Sequence, residues 1–233
     1  VIVVFFISLC FLICAGGGYL LQQYYKKWTW VEFVLLLCVW VILSGVGQEL
    51  CPKRWSEIAL PVSMGFSGIS IMIFLFFRTS LGSLGVRRFP KEMFLWILGF
   101  TILQQIVSVL WVMICVAIYG DLSEQAVVVD FLEASPYERW TFVVLIALIA
   151  PIVEEFLVRG FAWDAFSGSH VNKIAITGMI FGCLHVDSPY SVVPLCIFGF
   201  LLGYLRYKSD SIWPSVLTHF LNNVIVLANI AWL

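Results

Sequence analysis

The chain has 233 residues, of which 62% are apolar and only 12% charged, with a formal net charge of −1 and a mean hydropathy of +1.02. A soluble domain carries about 25% charged residues, so this composition excludes one and points to an all-α polytopic membrane protein. The near-zero net charge gives no reason to expect a nucleic-acid partner.

A membrane-spanning helix needs about 20 apolar residues. Taken in chain order, the candidate spans are residues 1–21, 30–46, 58–77 and 93–119. An acid-rich stretch follows at 120–139, long enough for a short amphipathic helix at the membrane surface. The remaining spans are 140–166, 173–186, 190–207 and 212–233, the sixth being short. The expectation is therefore about eight transmembrane helices in one transmembrane domain over 1–233, with 1–139 free of motifs and 140–233 carrying the polar groups. The opening apolar run lacks a basic flank and a small-residue cleavage site, so it reads as a membrane helix rather than a secretory leader. The seven cysteines lie mostly in apolar runs without a Cys-x-x-Cys pair, which suits small packing groups.

Lysine and arginine mark the cytoplasmic loops of a membrane protein. Loops after the odd-numbered spans hold nine (Lys26, Lys27, Arg78, Arg87, Arg88, Lys91, Lys173, Arg206, Lys208), and loops after the even-numbered ones hold three (Lys53, Arg54, Arg139). The first set is expected in the cytoplasm, with both ends of the chain outside.

The fifth span contains Glu154, Glu155 and Arg159. One ionisable group at the centre of a membrane helix costs roughly 2.5–3.5 kcal/mol on insertion scales, so three in one segment suggest a site. On a helix Glu155 and Arg159 share a face and can pair, while Glu154 points elsewhere. A structural ion pair between helices would account for Glu155 and Arg159 but leaves the second glutamate unexplained.

Two of the three histidines fall in later spans, His185 four residues after Phe181 and His219 four before Asn223. Gly178 and Gly182, then Gly199 and Gly203, repeat a Gly-x-x-x-Gly spacing that lets helices approach closely. His170, beside Ser167, Gly168 and Ser169, reads as a surface loop residue, and Cys183 as a packing group. If the helices holding the glutamates and histidines meet, these side chains suit hydrolysis. A buried carboxylate can take a proton from water, and imidazole and amide N–H groups can stabilise an oxyanion. No Gly-x-Ser-x-Gly elbow is present. Two His and a Glu are also a zinc ligand set, but His-Glu-x-x-His is absent and the ligands would come from three helices. No cofactor is expected, zinc stays open, and water is the nucleophile either way.

Glu-Glu-x-x-x-Arg-Gly at Glu154–Gly160, Phe-x-x-x-His at Phe181–His185, Gly-Tyr-Leu-Arg-Tyr-Lys-Ser at Gly203–Ser209 and His-x-x-x-Asn at His219–Asn223 occur in this order. Over residues 140–223 the chain resembles the CAAX-processing and bacteriocin-processing membrane peptidases, or Abi family, which include the type II CAAX prenyl endopeptidases. The resemblance implies an eight-helix, metal-independent intramembrane glutamate protease with a cavity open to the cytosol. Glu154 would activate the water with help from His185, His219 and Asn223 would bind the oxyanion, and Glu155 and Arg159 would support the site. It also implies a peptide or protein substrate, lipidated or otherwise held at the membrane lipid, without assuming a prenyl group. The compact chain and short loops suit a multi-pass protein of a bacterial cytoplasmic membrane. The same family includes non-catalytic scaffolds and bacteriocin-immunity proteins, which is the alternative. A proton- or ion-coupled transporter also uses buried Glu and His, but no two-fold repeat is evident.

Overall fold

Thr29 opens the first helix in the computed structural model, which describes residues 29–50, 56–120, 126–186 and 188–231. The expected span over 1–21 lies outside them. The Thr29 hydroxyl accepts the Glu32 N–H at 3.4 Å, and the Glu32 carboxylate accepts the Thr29 N–H at 2.8 Å. This capping box satisfies helix-end donors reciprocally. Eight helices follow among the described residues: α1 Trp30–Glu49, α2 Ser56–Arg78, α3 Met93–Tyr119, α4 Ala126–Glu133, α5 Pro136–Ala165, α6 His170–Cys183, α7 Pro189–Ser209 and α8 Trp213–Ala231. Five of them (α1, α3, α5, α7 and α8) are long and apolar enough to cross a membrane. The protein is an all-α integral membrane protein, and α4 occupies the acid-rich connection where a short helix was expected.

Two compact units emerge from the packing, one formed by Val1–Leu84 with Ala134–Phe166 and the other by Gly85–Glu133 with Ser167–Leu233. In the first unit, α1 and α2 are joined through small residues. Ser44 and Ser67 share a hydrogen bond of 2.9 Å, Ser63 donates to the Ser44 carbonyl at 2.8 Å, and the Trp40 indole donates to the Met64 carbonyl at 3.1 Å. Without water, backbone and hydroxyl groups must find partners inside the protein, and serine supplies them at short range.

The same unit contains α5, which starts four residues earlier than the apolar run suggests. Ser135 caps it, Pro136 occupies its first turn, and the Glu138 carboxylate accepts the Ser135 N–H at 2.8 Å. Its middle is not a uniform α-helix. Val143–Ile149 and Phe156–Ala162 widen into π-helical turns around the segment Ala150–Glu155. Pro151 explains the first widening, because it has no N–H and its ring clashes with the carbonyl four residues back. Accordingly the Ala150 N–H bonds the Leu145 carbonyl, five residues back. Such turns recur at functional sites, and here they flank the two glutamates.

In the second unit α6 and α7 pack with their backbones almost touching. A Cβ added to Gly199 would lie 2.7 Å from the Gly178 Cα, and one on Gly203 would lie 3.3 Å from the Ile174 Cα. The glycine spacing thus serves close packing, as expected. His170 is a correction to the sequence reading. It is not in a loop but opens α6, where Ser169 caps the helix by accepting the Asn172 N–H at 3.2 Å, and its exposed ring lies 4.6 Å from that of Tyr207. Cys183 is a second correction: it is exposed rather than packed.

Candidate active site

In α5 every residue from Val153 to Trp163 is buried. Arg159 and Glu155 are both wholly enclosed, and the guanidinium Nη1 donates to the Glu155 Oε1 at 2.9 Å. The pairing expected from their spacing is therefore present. Gly160 leaves room for Leu84, whose side chain would stand 3.4 Å from an added Cβ. Glu154 is only 8% exposed, and its Oε2 has no hydrogen-bond partner among the described residues. A buried carboxylate oxygen left open costs free energy unless something else approaches it.

The second unit holds His185, His219 and Asn223. His185 does not continue α6, as its spacing suggested. The helix ends at Cys183, and His185 lies in the closing turn, its N–H donating to the Gly182 carbonyl at 3.1 Å. The turn still carries its ring to 5.2 Å from the Phe181 ring, and Nδ1 lies 2.9 Å from the Phe181 carbonyl oxygen. A carbonyl only accepts, so Nδ1 carries the proton. The neutral imidazole then keeps its lone pair on Nε2.

His219 stands against the same aromatic ring. It meets Phe181 edge-on at 5.2 Å and Phe198 at 5.6 Å with the planes perpendicular. Both phenylalanines are fully buried, packed with Met93, Leu202 and Leu205. Edge-to-face contacts of this kind hold a ring in one orientation. Asn223 follows one turn later on the face of α8 that carries His219. Phe181 thus brings the two histidines together, and α8 places the asparagine beside one of them.

Three participants escaped the sequence reading. Phe198 clamps His219 but has no motif signal. Gln105 of α3 donates through Nε2 to the Asn222 Oδ1 at 2.8 Å, and Asn222 donates through Nδ2 to the Asn223 Oδ1 at 3.2 Å. The available signal was the polar pair Gln104-Gln105 inside an otherwise apolar span. The Gly203–Ser209 motif has a structural use. Its Arg206, 4% exposed, bonds the Asp210 carboxylate at 3.1 Å and lies against Gly85, whose φ of +80° suits only glycine well.

Among the described residues no three His, Cys, Asp or Glu side chains gather as a metal ligand set would. Residues 136–225 match the family model for Rce1-like, type II CAAX prenyl endopeptidases. No curated protein and no solved structure matches the chain significantly.

Proposed function

We propose that the chain, whose residues 136–225 match the family model for Rce1-like, type II CAAX prenyl endopeptidases, is an intramembrane endopeptidase that uses glutamate-activated water. Its substrate class is a peptide or protein held at the membrane, lipidated or not. The observation that carries this reading is the buried Glu154 oxygen without a hydrogen-bond partner among the described residues, beside a second glutamate already neutralised by Arg159.

On the family resemblance, we assign one role to each group. Glu154 takes a proton from water as the water oxygen bonds to the scissile carbonyl carbon. His185 accepts a hydrogen bond from that water at Nε2, the atom its Nδ1 contact leaves as acceptor. Negative charge collects on the former carbonyl oxygen, where N–H donors from His219 and Asn223 stabilise it. Collapse of the tetrahedral intermediate restores the carbonyl, breaks the C–N bond and returns the Glu154 proton to the leaving amine. Glu155 pairs with Arg159 and has no part in the proton transfer. The reaction needs no metal. We place the site toward the cytosolic face of a bacterial membrane, the side that the lysine and arginine counts favour.

The test compares membranes with equal amounts of wild type and Glu154→Ala by mass spectrometry of new peptide termini. Termini that appear only with wild type are expected, and their flanking residues name the substrate class. Identical termini, with both proteins folded, would reject the protease reading in favour of a membrane scaffold.

A further inference from the structure

We infer that Gln105 and Asn222 form a relay that fixes which end of the Asn223 amide faces the reacting carbonyl. This rests on the protease reading above, in which Asn223 donates to the oxyanion. An asparagine amide has a donor end and an acceptor end of nearly the same shape. Only one of them can stabilise negative charge. Something must therefore choose the orientation, and the side chain cannot do so itself.

The hydrogen bonds of the second unit make that choice. Gln105 Nε2 donates to Asn222 Oδ1 at 2.8 Å, which turns the Asn222 amide so that its Nδ2 faces onward. That Nδ2 donates to Asn223 Oδ1 at 3.2 Å. With its oxygen held on Asn222, the Asn223 amide keeps Nδ2 as its donor end. Each bond runs donor to acceptor in the same sense, so the three amides polarise one another in a low-dielectric interior. Asn222 is 7% exposed and Gln105 half-buried, so water competes little for these groups. A glutamine has no packing reason to occupy an apolar span, because an unpaired amide there is costly. The adjacent Gln104 supplies a comparison. It is buried too, but its Nε2 donates to the Pro194 carbonyl at 3.3 Å and to Ser108 at 3.1 Å, leading to α7 and not toward Asn223.

Gln105 and Asn222 are thus positioning residues. They stabilise no atom of the substrate but keep the Asn223 donor aimed. Their loss should act on the transition state, where the oxyanion exists, and leave substrate affinity alone.

The experiment uses the full-length protein and a peptide spanning a cleavage site found by its dependence on Glu154. The variants are Gln105→Met, which keeps the volume and removes the donor, and Asn222→Asp, which replaces the Nδ2 donor by an acceptor. Each is expected to lower kcat at least about tenfold with KM within about twofold. The double variant is expected to match Asn222→Asp alone, since both act through one amide. Gln104→Met is expected to keep the wild-type kcat, and melting temperatures check that every variant folds. If wild type cleaves and Gln105→Met keeps its kcat, the relay is wrong and the protease reading stands. The same follows if the two losses add, or if kcat falls only in step with melting temperature. If wild type produces no Glu154-dependent cleavage at all, the protease reading fails and the relay fails with it.

Discussion

Arg159 and Glu155 have no contact with solvent, yet each carries a charge that would be very costly alone in this interior. Their 2.9 Å bond makes both tolerable. Removing one partner of a buried pair leaves the other uncompensated and costs about 3–5 kcal/mol. Arg159→Leu is therefore expected to lower the melting temperature in detergent sharply. The double variant Glu155→Leu/Arg159→Leu is expected to recover much of the loss, because two apolar groups of similar size replace the pair without an orphaned charge. Equal melting temperatures for the single and double variants would contradict the pairing. Glu154, one residue earlier, calls for the opposite result: Glu154→Gln should leave melting nearly unchanged and abolish cleavage. A reaction run by that carboxylate alone should also survive removal of metal. Activity in membranes treated with 1,10-phenanthroline is expected to equal the untreated rate, and loss restored by added zinc would overturn the metal-free mechanism.

At the scale of the helix, chain composition explains where elements lie better than how they bend. The edges of α3 follow the apolar run from Met93 to Tyr119, because length and hydropathy set a span directly. The start of α5 was also written in the chain, as Ser135-Pro136 followed by Glu138, but as a capping box rather than as hydropathy. The π-helical turns were not legible. Pro151 announces some departure, but whether the helix kinks, breaks or widens depends on what packs around it. The glycine spacing in α6 and α7 was legible because it depends on backbone approach alone. Gly199→Leu should force those helices apart, since its Cβ position is already 2.7 Å from the Gly178 Cα. Overpacking costs about 1–3 kcal/mol. A matching fall in melting temperature is expected, with a larger fall in activity because Phe181 and Phe198, which orient His219, lie on these two helices. An unchanged melting temperature would mean that the helices pack more loosely than this.

Across the second unit as a whole, the contacts fix which loops share a side of the membrane. The loop before α3 is tied to the link between α7 and α8. Ser211 donates to the Arg87 carbonyl at 2.7 Å, the Ile212 N–H donates to the Gly85 carbonyl at 2.9 Å, and Arg87 pairs with Asp210. At the far end of α3, the Trp111 indole donates to the Tyr190 carbonyl at 2.6 Å, and Tyr119 lies 5.8 Å from the Tyr190 ring. Helices α3 and α7 therefore run antiparallel, which agrees with counting each as one crossing. The sequence assigned the same pairs of loops to common sides from charge alone. It could do so because lysine and arginine resist translocation whatever the helices do inside the membrane. The tied loops and the last turn of α7 carry Arg87, Arg88, Lys91, Arg206 and Lys208, so this side is expected in the cytoplasm. With the native cysteines replaced by alanine, Arg88→Cys should react with a membrane-impermeant maleimide only in inverted vesicles. Tyr119→Cys should react only in intact cells. The reverse pattern would turn the protein over and move the proposed site to the outer face, whereas labelling of both from one side would break the antiparallel arrangement of α3 and α7.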